Sequence, residues 1–276
     1  MKPKDSDEAL LESIRGKTGG RPPPTVPARG VSRRSIAGTE VTTVASPERH
    51  VVYLHGGYHI AGSPAVYRNL ASKLASGLQA AVHVLDLPLA PEYPYPAALD
   101  RATDAYLHIV ESGVDPSTVA IAGDSAGGGL ALSLVQRLHA RGLPRPGAAV
   151  LISPWLDLTC SGESVDVNDF ADDMLSAKAL RTAAAHYAGD VPLSDHGVSP
   201  LFGNVEELPP VFVTIDVSET LLDDTRRLVD RVRTASQIEV DERQGLFHIW
   251  PVFTPFVKES RDTVAKIVAF LRRELA

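Results

Sequence analysis

Cysteine is almost missing from this 276-residue chain, with Cys160 the only one. A lone thiol excludes an intrachain disulfide and fits a reducing compartment. Long apolar runs are missing too. Nothing approaches the roughly 20 residues of a membrane span, and the opening "MKPKDSDEALLESIRGK" lacks the apolar centre of a secretory leader. We therefore expect a soluble, cytoplasmic protein with no membrane partner. Positive charge is also in short supply. With 27 Lys and Arg against 34 Asp and Glu, the formal net charge is −7. That argues against nucleic-acid partners, whose phosphates require a basic footprint. Residues 2–34 depart from this balance, holding eight Lys or Arg against four Asp or Glu, and they include "GGRPPPTVPARG". This composition predicts an N-terminal arm over residues 1–34, mobile or loosely packed. A last absence is a lysine in "TVAIAGDSAGGGLAL" (118–132), whose glycines run directly into Leu130-Ala131-Leu132. A Walker-type phosphate loop needs Lys and then Ser or Thr after its last glycine, so that reading is excluded.

What is present is an alternation of strand and helix patterns. The chain is 44% hydrophobic, ample for one large domain over residues 35–276. Short Val- and Ile-rich runs read as strands at 50–55, 80–87, 118–123, 148–153, 210–215 and 238–243. Helical patterns at 67–78, 98–113, 126–142, 220–236 and 258–275 separate most of them. The alternation predicts an α/β protein, a mostly parallel sheet with helices on both faces. "SIAGTEVTTVAS" (35–46) adds an antiparallel edge. Residues 157–200 hold helical pieces and no strand, and we read them as a cap inserted above the carboxyl ends of the strands, where open parallel sheets bind ligands.

Gly123-Asp124-Ser125-Ala126-Gly127 is G-x-S-x-G between a strand and a helix, the context of a nucleophile elbow. The tight turn forces small neighbours around Ser125, and the helix that begins near Ala126 aims its amides and positive dipole end at a nearby oxyanion. Serine needs a base and an orienting acid, in the chain order Ser, Asp or Glu, His. Of the nine histidines, His248 in "GLFHIWPVF" is the one that follows a strand near the end of the chain. His83, His108, His139 and His186 fall inside strand or helix patterns and read as structural. For the acid, Asp216 ends the strand "PVFVTI" and Glu219 lies three residues on, and residue chemistry does not separate them. Asp223 and Asp224 fall in the following helix, where solvation at the surface is the plain reading. In "YLHGGYHIAG" (53–62), the amides of Gly56 and Gly57 join that of Ala126 as oxyanion donors.

These segments together resemble the bacterial hormone-sensitive-lipase family of α/β-hydrolase esterases. The matching motifs are "YLHGGYHIAGSP", "LAPEYPYPAALD", "GDSAGGGLAL", "SPWLDLT", "SPLF" with "LPPVFV", and "FHIW", in family order from about residue 50 to the end. The resemblance implies an α/β-hydrolase fold with a central sheet of about eight strands beneath a helical cap. It also implies hydrolysis of small or short-acyl esters without metal or organic cofactor. It settles the triad acid on Glu219, with Asp216 second, beside Ser125 and His248; we further expect Tyr58 and Asp124 to line the substrate pocket. Three departures stand out. Tyr58 occupies the place of the loop's third glycine, Pro88 that of a usual arginine, and residues 1–35 match the family's helical lid poorly. A phenol at position 58 either narrows the pocket or lends its hydroxyl to a particular substrate. A lactonase or acyltransferase would use the same triad, and a non-catalytic ligand-binding protein would keep only the scaffold. Monomer and homodimer are both compatible with the sequence.

Overall fold

The apolar runs lie side by side in one eight-stranded sheet of order β1-β2-β4-β3-β5-β6-β7-β8. The computed structural model describes residues 6–18, 22–26, 28–36 and 38–275. The strands are β1 (Ser32–Ile36), β2 (Thr39–Thr43), β3 (Arg49–Leu54), β4 (Ala80–Val84), β5 (Val119–Asp124), β6 (Ala148–Ile152), β7 (Val211–Asp216) and β8 (Ile238–Arg243). From β4 through β8 every pairing is parallel, whereas β1 with β2 and β2 with β4 are antiparallel. The antiparallel edge expected at 35–46 is a hairpin that begins at Ser32.

Because side chains alternate across a strand, each central strand feeds two cores. Val52, Leu54, Ile121, Leu151 and Val213 face α3 (Ala97–Glu111), α4 (Ala126–Ala140) and α7 (Leu222–Val232). Val51, Tyr53, Val82, Ala122, Val150 and Phe212 face α2 (Arg68–Leu78) and α8 (Lys258–Glu274). In α2, Leu70, Leu74 and Leu78 recur every four residues and form one buried stripe. Each such leucine contributes about 1.5–3 kcal/mol of burial free energy. The helix stops at Gln79, which turns left-handed (φ 54°) and returns its N–H to Ala75.

A third core lies above the carboxyl ends of the strands. The segment after β6 carries α5 (Ser164–Val167) and α6 (Ala177–Ala188), joined by a strap over 168–176. Where composition suggested a loose arm, residues Ser6–Thr18 form helix α1. Leu11 and Ile14 of α1 are buried with Tyr58, Ile60, Leu180, Ala183 and Tyr187. Arg15 fastens α1 to the strand ends, donating to the carbonyls of Ile60 and Ala90, both at 3.0 Å. It also pairs with Glu92. Among the described residues, no helix is long and apolar enough to cross a membrane.

Candidate active site

β5 runs into α4 through a single residue, Ser125, held at φ 52° and ψ −124°. A non-glycine residue in this region carries roughly 1–3 kcal/mol of strain, and four backbone hydrogen bonds fix it there. The Ser125 N–H donates to Ile152 at 2.9 Å, while its carbonyl accepts from Gly128 (3.0 Å), Gly129 (3.1 Å) and Trp155 (2.9 Å). Small residues are compulsory around it. A Cβ on Gly123 would fall on the carbonyl of Gly127, and one on Gly127 on the carbonyl of Leu54. The turn leaves the first amides of α4 without helical acceptors beside the serine.

The loop after β3 lies across from this turn. Gly57 (φ 122°), Tyr58 (φ 59°) and His59 (φ 62°) turn the chain back in succession, and the Gly57 carbonyl accepts from Ile60 at 3.1 Å and Ala61 at 2.9 Å. The donor set expected for an oxyanion needs one correction. The Gly56 N–H is already committed, at 3.0 Å to the Tyr67 hydroxyl and at 3.1 Å to Asp124 Oδ1. The N–H groups of Gly57, Tyr58 and Ala126 make no hydrogen bond among the described residues. Asp124 needs a correction as well. It does not line a pocket, because its carboxylate is fully buried and accepts from the hydroxyls of Tyr53 (2.9 Å) and Tyr67 (3.0 Å). Burial pushes its pKa up to about 6, against those hydrogen bonds and that of Gly56. Asp124 thus anchors the glycine loop from beneath. Tyr58 is buried with its ring edge-on to Trp155, and its hydroxyl donates to the Met174 carbonyl in the cap strap.

The carboxylate that meets His248 is Glu219, whose Oε2 lies 2.6 Å from His248 Nδ1. Its other oxygen accepts from the Asp216 N–H and the Ser153 hydroxyl, each at 2.8 Å. Two donors and an imidazole nitrogen thus surround this buried group. Asp216 has a different task. Its Oδ1 accepts from the N–H and hydroxyl of Ser218, and its Oδ2 from Leu246 N–H at 2.8 Å. It therefore ties the β7 loop to the loop that carries His248. With Nδ1 facing the carboxylate, His248 Nε2 is left buried and without a partner among the described residues. Burial acts to lower the His248 pKa, but the hydrogen bond and charge of Glu219, helped by Asp172 and Asp124, outweigh it and raise the pKa above 6.5.

Ser153 is the member that the sequence did not announce. It follows β6 at φ 45°, is fully buried, and its oxygen also receives the Ile249 N–H at 3.3 Å. One hydroxyl therefore braces both the acid and the residue after the histidine. Asp224, expected at a solvated surface, is 1% exposed. It accepts the N–H groups of Leu156 (2.7 Å) and Asp157 (2.9 Å), which holds the start of the cap. His83, expected to be structural, meets His50 ring to ring, with Nε2 and Nδ1 3.1 Å apart.

An elbow serine, a histidine–carboxylate pair and loop amides unpaired among the described residues, all at the carboxyl ends of parallel strands, define the class. The chain belongs to the alpha/beta hydrolase fold family, whose sequence profile matches residues 51–252. Within it, the chain is similar to an esterase of Acinetobacter venetianus, 35% identical over 249 residues that cover 90% of this chain and 82% of that one. An acetyl-hydrolase of Streptomyces hygroscopicus is 37% identical over 225 residues, covering 81% and 75%. Among solved structures, an esterase from the bacterial hormone-sensitive lipase family superposes with a TM-score of 0.87 at 30% identity, over 100% of both chains.

Proposed function

We propose that the protein is a serine carboxylester hydrolase acting on small or short-acyl esters. The observation that carries this reading is the buried His248–Glu219 pair, whose Nε2, without a partner among the described residues, lies on the same rim of the sheet as the elbow serine. In this reading, Ser125 Oγ attacks the ester carbonyl carbon and His248 Nε2 takes the hydroxyl proton. Glu219 keeps the proton on Nδ1 and stabilises the imidazolium. The amides of Gly57, Tyr58 and Ala126 receive the charge that develops on the carbonyl oxygen, where one donor is typically worth about 3–4 kcal/mol. His248 returns the proton to the leaving alcohol, and water then repeats the sequence on the acyl-enzyme. The esterase and acetyl-hydrolase relatives support the ester class and a short acyl group.

The test is hydrolysis of p-nitrophenyl esters from acetate to decanoate, alongside labelling by a fluorophosphonate and a Ser125→Ala control. Turnover and labelling that both vanish in Ser125→Ala are the expected result, with the optimum at short chains. A folded native protein that neither turns over nor labels would overturn the reading and favour a ligand-binding role on the same scaffold.

A further inference from the structure

Tyr58 takes the place of a glycine in the oxyanion loop, and its hydroxyl crosses to the cap to meet the Met174 carbonyl at 3.3 Å. Two residues earlier on the same strap stands Asp172. Its Oδ1 accepts the N–H groups of Met174 at 3.0 Å and Leu175 at 2.9 Å. Its Oδ2 accepts the N–H of Thr220 at 2.9 Å and the Thr220 hydroxyl at 3.2 Å. Thr220 directly follows Glu219. One carboxylate of the cap is thus bonded on one side to the acid loop, and on the other to the strap residue that holds Tyr58.

We propose that Asp172 is a positioning residue. It ties the Glu219–His248 pair and the oxyanion loop to the cap as one unit, and the Tyr58 hydroxyl is the second half of the tie. This rests on the serine-hydrolase reading above. Neighbouring contacts point the same way. The Asn168 amide donates to the carbonyls of Val217 (3.0 Å) and Glu219 (2.9 Å), and the Ser164 hydroxyl to that of Thr220 (2.8 Å). The acid loop is therefore bonded to the cap along its main chain, and movement of the strap would move the acid. Charge follows the same route. The carboxylates that bear on His248 are Glu219 by hydrogen bond and Asp172 and Asp124 through space, and all three favour the imidazolium against burial. Burial and the Asp172 charge also hold the Tyr58 phenol above its ordinary pKa, so it stays a donor to Met174.

The experiment compares full-length native enzyme with Asp172→Asn, Asp172→Glu and Tyr58→Phe, measuring kcat and KM for p-nitrophenyl acetate across pH. Asp172→Asn removes the charge and replaces one acceptor oxygen by a donor. Its acid limb should move to lower pH by roughly half a unit or more, and kcat should fall about three- to tenfold, the worth of one lost hydrogen bond. Asp172→Glu keeps the charge and should leave the limb in place while lowering kcat. Tyr58→Phe should lower kcat about three- to tenfold with KM nearly unchanged and the limb unmoved. A cap that is merely destabilised would reduce the fraction of titratable active sites and leave the limb where it was in Asp172→Asn. That result, or native kcat in that variant, overturns the proposal. If Asp172→Asn does not fold, native kcat in both Asp172→Glu and Tyr58→Phe overturns it. Failure of the underlying reading looks different, because the native enzyme would then neither turn over nor take up fluorophosphonate.

Discussion

Replacing Glu219 by glutamine tests the electrostatics of the site with little change in volume. In the native arrangement the Ser153 hydroxyl and the Asp216 N–H donate to this side chain, and in the proposed mechanism His248 Nδ1 does so as well. An amide can accept with its oxygen only. If that oxygen faces Ser153 and Asp216, the amide hydrogens face His248 Nδ1 and select the tautomer with its proton on Nε2, which cannot take the proton of Ser125. If the amide is reversed, its hydrogens oppose the Asp216 N–H, and the imidazolium loses its counter-charge. Either orientation disables the base. Exchanging a triad carboxylate for its amide costs on the order of 10⁴ in kcat, which at 1.36 kcal/mol per decade is about 5.4 kcal/mol. Glu219→Asp keeps the charge but withdraws the carboxylate by one methylene, and a loss of about 10- to 100-fold is expected. Single-turnover kinetics with p-nitrophenyl acetate, normalised to correctly folded protein by circular dichroism, measure both. Glu219→Gln within tenfold of native kcat would refute the reasoning, most plainly if Asp216→Asn were the variant without activity.

Two further outcomes follow from the geometry. Because the His248 pKa is raised above 6.5 by its carboxylate neighbours, and the base must be neutral to act, kcat/KM should climb with pH through a midpoint above 6.5. A midpoint at or below 6.5 would contradict the assignment of that raised pKa to the base. Gly57→Ala places a Cβ on the Ala61 carbonyl at a φ of 122°, so the oxyanion loop must shift. We expect kcat to fall about 10²- to 10³-fold, as for loss of one oxyanion donor, with a fall of about 1–3 kcal/mol in stability, read by thermal melting. Native turnover in that variant would contradict the role of the loop.

Ser125 and His248 could be proposed from the sequence because each sits in a local pattern: strand, tight small-residue turn and helix for one, a late strand followed by histidine for the other. The proposed acid was a tie between Asp216 and Glu219 on residue chemistry alone, because Asp216 ends β7 and Glu219 follows within one turn. What separates them is the partners each carboxylate meets: the Leu246 N–H for Asp216, and the Ser153 hydroxyl with His248 Nδ1 for Glu219. Ser153 stayed hidden because its role arises only once β6 and β7 are in register. The commitment of the Gly56 N–H was hidden for a similar reason, since Asp124 and Tyr67 reach it from other elements. Helix α1 was masked by its neighbourhood. The Pro- and Gly-rich stretch after it dominated the composition, while the spacing of Leu11 and Ile14 that buries one face was too short a signal to stand out.

The order of strands in the sheet also governs when reactivity arises. β5, which leads into the proposed nucleophile Ser125, lies near the middle of the sheet, whereas the proposed base His248 follows β8, an edge strand and the last in sequence. A chain leaves the ribosome N-terminal end first. On the proposed assignment, a nascent chain that has reached α4 therefore holds Ser125 without His248, and among the described residues β8 pairs only with β7. The nucleophile would then gain its base only after β8 has been made, and a product truncated before β8 is expected to be inert rather than indiscriminately reactive.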